Sequence, residues 1–154
     1  MKKALIWVGV ALFLLSTGNI LLATDKGKPE EAKAMVEKAV TYVKASGNEK
    51  AFAEFNDPKG KFVDRDLYIW VADISAQAKC LAHGANAKLI GKELIEFKDS
   101  DGKAFIGEIV NGAKSKGNGW VDYKWTNPVT KNIERKSVYF EKLNNLVIAC
   151  GFYK

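Results

Sequence analysis

Histidine is all but missing from this chain: His83 is the only one in 154 residues. A histidine-built metal centre is excluded, and any nucleophile would have a single imidazole to serve as its base. Only two cysteines occur, Cys80 and Cys150, too few for a disulfide-dense miniprotein. No C-x-x-C or C-x-x-C-H run is present, which removes thiol–disulfide exchange and covalent haem, and no G-x-S-x-G marks a hydrolase nucleophile. Arginine is scarce too, with Arg65 and Arg135 alone. The excess of base, 24 Lys+Arg over 18 Asp+Glu for a net charge of +6, is therefore almost all lysine, spread along the chain. Nucleic-acid surfaces cluster Arg and Lys, whereas dispersed lysine is a solvated surface. No repeat or low-complexity run appears. A hydrophobic content of 47% against 27% charged suits one folded domain.

The one long apolar run is at the start. Met1-Lys2-Lys3 is a short positive segment, Ala4 to Leu15 is uncharged and apolar, and small residues follow at Ser16-Thr17-Gly18 and Ala23-Thr24. This is the pattern of a secretory signal. The preferred cleavage lies after Ala23, with Gly18 as the alternative, which makes residues 1–23 a signal peptide and 24–154 the domain. The competing reading is an uncleaved anchor, since about 20 residues just span a bilayer. The polar break Ser16-Thr17-Gly18-Asn19 favours processing.

In the remainder, Pro29-Glu30-Glu31 opens a helix that Ser46-Gly47-Asn48 ends, with Ala32, Met35, Val36, Ala39, Val40 and Val43 at helical spacing. A shorter helix runs near Glu49 to Phe55 and stops before Asn56-Asp57-Pro58. Asp66 to Asp73 is a strand with two apolar faces, Leu67/Ile69/Val71 and Tyr68/Trp70/Ala72, the mark of a central strand covered on both sides. Cys80 to His83 is a second strand, and Gly84 to Phe97 reads as loop. Asp99-Ser100-Asp101-Gly102 precedes a helix near Lys103 to Lys114, with Asp101 as its cap. Strands follow at Trp120–Thr126, Arg135–Lys142 and Leu146–Tyr153. The order predicts an α+β domain, a five-stranded antiparallel sheet with a long N-terminal helix and short flanking helices.

The Asp99–Asp101 stretch does not make a calcium loop, because Gly102 at its sixth position puts Phe97 at the first, which cannot ligate calcium. More informative are aromatic and basic residues on strands: Tyr68 with Trp70, Tyr123 with Trp125, and Lys136 with Tyr139. Such aromatics are commonly plain core. Yet indole N–H and phenol O–H groups need partners when buried, and beside a lysine they form a small apolar pocket with convergent donors. A buried lysine is costly without an anion, and a small carboxylate supplies one.

At these residues the chain resembles the single Cache domain family, PAS-like extracytoplasmic small-molecule sensors of bacteria. The matching stretches are Phe55 to Phe62, Asp66 to Asp73, Ala82 to Lys92, Asp99 to Lys103, Gly119 to Trp125, Lys136 to Tyr139 and Gly151 to Tyr153. They follow the family's order of F-N-x-P-x-G-x-F, D-x-Y, A-H-P-x-N-x-x-L-x-G-K, D-x-D-G-K, G-W-V-x-Y-x-W, K-x-x-Y and G-x-Y, and cover nearly all of 24–154. The resemblance implies a pocket on one face of the sheet for acetate, propionate, pyruvate or a similar short acid. Carried over by motif position, its residues are Tyr68, Trp70, His83, Tyr123, Trp125, Lys136 and Tyr139. Lys136 would neutralise the carboxylate, Tyr123, Tyr139 and His83 would donate hydrogen bonds, and Trp70 and Trp125 would wall the apolar end.

Two positions depart from the pattern. Gly84 stands where the family has proline, which predicts a looser His83 loop. Cys150 replaces a small residue. In a PAS-like strand order Cys80 and Cys150 would lie about two strand spacings apart, too far for a disulfide, so two thiols are expected. The chain also ends directly after the last strand, where family members continue into a membrane helix and signalling module. A free periplasmic protein would then pass its signal to a membrane receptor or histidine kinase, and its long helix is the candidate surface for a homodimer. The expectation is thus a non-enzymatic carboxylate sensor with no cofactor, metal or nucleic-acid partner. The alternative is a periplasmic interaction protein without a ligand, whose aromatics are only core.

Overall fold

The computed structural model describes residues 25–154. The segment expected to be a signal peptide, residues 1–23, lies outside the described residues, as does its expected cleavage site. Helix α1 spans Pro29–Ser46. Proline sits at its first position, and the Glu31 carboxylate reaches back to accept the Lys28 N–H at 2.8 Å. Gly47, at φ +79°, ends it by donating to the Val43 carbonyl, and α2 (Asn48–Phe55) follows at once. The strands are β1 (Val63–Asp64), β2 (Leu67–Asp73), β3 (Lys79–His83), β4 (Asn118–Thr126), β5 (Ile133–Leu143) and β6 (Leu146–Tyr153). A short 3-10 turn (Ala87–Leu89) and α3 (Phe105–Lys116) lie between β3 and β4.

All strand pairs are antiparallel, in the order β1-β2-β6-β5-β4, with β3 on the same edge of β2 as β1. The five strands expected from sequence form the sheet, and the two-residue β1 is an addition. The two faces of β2 bury separately, as their apolar content requires. Leu67, Ile69 and Val71 pack with Ile148 and Cys150 beneath α1 and α2. Tyr68, Trp70 and Ala72 pack with Val138, Phe140 and Ala149 beneath α3 and the β3–α3 segment. The sheet is thus a shared wall between two cores.

Both cysteines are free and fully buried, Cys80 in the α3 core and Cys150 in the α1 core, so the sheet itself separates them. Helix α3 begins at Phe105, not near Lys103 as its sequence pattern predicts, and Asp101 is not its cap: the residue before it is Ala104, with no side-chain bond. Asp99 organises this turn instead. Its Oδ1 accepts the N–H groups of Asp101 and Lys103, both at 2.9 Å, and its Oδ2 accepts the Lys124 N–H of β4 at 3.0 Å. An Asx turn bonded to the edge strand accounts for the D-x-D-G sequence.

Candidate functional site

On the α3 side of the sheet, side chains from three strands and the segments above them enclose a cavity of about 20 Å³, room for one water molecule. Strand β2 contributes Tyr68 and Trp70, β4 contributes Tyr123 and Trp125, and His83 enters from the end of β3, where it pairs with Trp70 across the ladder. Leu89, Leu94 and Phe97 of the loop and Phe105 and Ile106 of α3 form the roof. Residues two apart on a strand share a face, so Y-x-W in β2 and again in β4 delivers four aromatics to one surface. Phe105 stacks on Tyr123 at 3.9 Å and 11°, and meets Trp125 edge-on at 5.4 Å.

The polar groups of this cavity are donors. His83 Nδ1 accepts from the N–H groups of Asn86 at 3.0 Å and Ala85 at 3.3 Å. An imidazole nitrogen that accepts carries no proton, so the neutral ring holds its hydrogen on Nε2. Burial, and then the nearby Lys136 charge, push the His83 pKa down to about 3, which keeps the ring neutral at physiological pH. Burial likewise holds Tyr123 protonated, its pKa raised well above the usual value, with Tyr68 as a second cause. The backbone N–H of His83 donates to Asn56 Oδ1 at 2.8 Å, so the asparagine of the F-N-x-P motif fixes the histidine. The loop after it is not slack. Gly84 N–H donates to the Ile69 carbonyl at 2.9 Å, a bond proline could not make. A Cβ there would come within 3.1 Å of the Phe55 carbonyl and of Val63.

Lys136 lies behind the cavity wall, not in it. It is 1% exposed, and its Nζ donates to the Tyr68 hydroxyl at 2.7 Å. The ammonium stands 4.0 Å from the centroid of the Tyr68 ring and 4.8 Å from that of Tyr153. Among the described residues no carboxylate lies within ion-pairing distance of it. Its positive charge therefore reaches the cavity through the Tyr68 hydroxyl, which a cation on one side makes a stronger donor on the other. The far side of Lys136 forms part of the floor of a second, open cleft.

Of the seven residues assigned from sequence, Tyr68, Trp70, His83, Tyr123 and Trp125 converge on the cavity and Lys136 touches it through Tyr68. Tyr139 does not belong with them. Three residues from Lys136 on a strand of period two, it faces the opposite core, beside Trp120 at 5.1 Å, and its hydroxyl donates to Glu141 at 3.0 Å. Two residues of the terminal G-x-Y motif take part without having been assigned. Tyr153 is the cross-strand partner of Lys136 and lays its ring beside the ammonium, while its hydroxyl donates to the Thr126 carbonyl at 2.8 Å. Gly151 leaves the gap through which the lysine stem passes: a Cβ there would fall 2.5 Å from Lys136 Cε.

The profile of the Single Cache domain 2 family matches residues 15–154. A stretch of 92 residues, 58% of the chain, is 32% identical to the methyl-accepting chemotaxis protein McpP of Pseudomonas putida, of whose length it spans 16%. The fold is similar to that of a crystal structure of a methyl-accepting chemotaxis protein from Vibrio parahaemolyticus, with a TM-score of 0.69 and 25% identity over 80% of this chain and 86% of that one. A structure described as showing carboxylic acid recognition by a Cache chemosensory domain gives a TM-score of 0.67 and 27% identity, over 80% of this chain and 91% of that one. No described helix is long and apolar enough to cross a membrane.

Proposed function

The chain belongs to the Single Cache domain 2 family, and from that premise we propose that it is a non-catalytic, extracytoplasmic sensor of short carboxylic acids. The observation that carries this reading is the buried Lys136 ammonium, linked at 2.7 Å to a tyrosine hydroxyl on the wall of an aromatic cavity whose other polar groups, His83 Nε2–H and the Tyr123 O–H, are donors. A carboxylate is acceptor-only when ionised and complements such a set. An ammonium does not: the cavity lining contains no Asp or Glu. Amines and amino acids are thereby disfavoured, since a buried unpaired charge is costly. With room for one water molecule, the cavity must open to take even the short acids acetate, propionate or pyruvate, and longer acids would demand more. The relation to chemotaxis receptors supports a role in chemotactic signalling, with export by the N-terminal segment and a membrane receptor or kinase as the recipient.

A thermal-shift panel of C2–C4 carboxylates, amino acids and amines tests this, on protein unfolded and refolded to remove any bound acid. A ligand at 100 times its Kd stabilises by about 2.7 kcal/mol, several degrees in Tm. Shifts confined to short carboxylates are the expected result. Shifts with amines or amino acids alone, or none at all, refute it.

A further inference from the structure

Lys136 forms part of the floor of a solvent-open cleft of about 250 Å³, bordered by Lys103, Lys124, Arg135 and Lys154 and by Asp99, Asp101 and Asp122. Tyr123 lines this cleft as well as the cavity, so the two spaces meet at the Tyr123–Lys136 cross-strand pair. The rim is latched by ion pairs: Lys124 Nζ to Asp101 at 2.9 Å, and Lys154 Nζ to Asp122 at 2.6 Å. Lys103 Nζ donates to the Asp122 carbonyl at 2.6 Å. All are part-exposed, and solvent-facing pairs of this kind are weak and exchange partners readily.

The geometry points to this cleft as the entrance and outer binding station for the acid, a deepening that rests on the function proposed above. An arriving carboxylate replaces the aspartate carboxylates on Lys124 and Lys154, like for like, so that no lysine loses its counter-charge. It then passes to Lys136, the one cation of the cleft that is fully buried and has no described acidic partner. The Lys124–Asp101 pair and the Lys103–Asp122 bond hold the Asp99–Lys103 turn against β4 directly before Phe105, whose ring stacks on Tyr123. Releasing them frees the wall that separates cleft from cavity.

The test is stopped-flow association of propionate, followed by the fluorescence of Trp70 and Trp125, on the parent and on the double variant Lys124→Gln/Lys154→Gln. A control variant, Lys44→Gln/Lys59→Gln, makes the same change of net charge at exposed positions on and near the α1 side. The on-rate of the double variant should fall about three- to tenfold at low salt, with koff unchanged. Its dependence on ionic strength from about 0.01 to about 0.1 M, where the Debye length shrinks from about 30 to about 10 Å, should flatten. The control should match the parent. An on-rate equal to the parent's, or an equal fall in the control, overturns the entrance. A rise in koff at constant on-rate overturns it too, since the lysines would then hold the bound acid and not admit it. If the parent binds none of the C2–C4 acids, the acid-sensor reading falls and takes the entrance with it.

Discussion

Replacing Lys136 with methionine separates a ligand-binding lysine from a structural one, because the two roles predict opposite signs for stability and affinity. The ammonium gains one charge-assisted hydrogen bond to Tyr68, worth about 1.5–3 kcal/mol, and two ring contacts at 4.0 and 4.8 Å, worth about 0.5–2 kcal/mol each. Against these stands a desolvation cost of several kcal/mol for a cation at 1% exposure. The sums nearly cancel. Methionine keeps most of the stem's volume as it crosses Gly151 and needs no desolvation, so Lys136→Met should melt within a few degrees of the parent, or above it, since about 1 kcal/mol moves Tm by about 4 °C at this size. Binding should go the other way. Removing one side of a buried charge pair costs about 2–5 kcal/mol, a rise in Kd of at least about 30-fold. Differential scanning calorimetry without ligand and titration calorimetry with propionate read the two quantities. A folded variant that binds propionate with the parent's affinity refutes the role given to Lys136. A loss of binding accompanied by a collapse in Tm would make the lysine structural.

Other residues give independent checks. The depressed His83 pKa means the folded ring resists a proton that the unfolded chain accepts near pH 6.5, so its contribution to stability is complete above that pH and is lost as pH falls from about 6.5 toward 3. Denaturant melts between about pH 6.5 and 5, above the carboxylate range, should show a slope approaching about 1.4 kcal/mol per pH unit that His83→Asn flattens. Gly151→Ala places a methyl 2.5 Å from Lys136 Cε and from Val138 Cγ2, so chemical denaturation should show a loss of about 1–3 kcal/mol, and titration calorimetry a weaker acid affinity as the ammonium shifts off Tyr68. Tyr139→Phe, on the opposite face, should leave propionate affinity unchanged by titration calorimetry and cost about 0.5–1.5 kcal/mol of stability for the lost bond to Glu141.

Where local pattern decides the outcome, the sequence was legible. The 3.6-residue spacing of Ala32, Val36, Ala39, Val40 and Val43 located α1, and the doubly apolar Leu67–Ala72 run announced a strand covered on both sides. The four cavity aromatics follow from two Y-x-W triplets. What escaped depends on how strands align. Lys136 and Tyr139 read as one motif along the chain but face opposite cores. Tyr153 and Gly151 acquire their roles only when β6 is laid beside β5 in a register that places Tyr153 opposite Lys136. The cap assigned to Asp101 belongs instead to an Asx turn at Asp99, because the determining contact is a backbone N–H of Lys124, 25 residues away. Neither sequence spacing nor composition records that a cavity and a cleft share Tyr123 as their partition.

The division of the two thiols by the sheet gives this protein a pair of built-in clocks. Burial pushes the Cys80 pKa up to about 11 and the Cys150 pKa to about 12, so neither reacts with an alkylating reagent while its own core stays closed. Alkylation of Cys80 times the opening of the layer that roofs the cavity, and alkylation of Cys150 times the lifting of the long helix. Mass spectrometry that resolves the two sites would show whether an acid slows one clock or both. Slowing at Cys80 alone would mean that occupancy tightens only the layer around the ligand. Slowing at both would mean that the event on one face of the sheet is felt beneath the helix on the other.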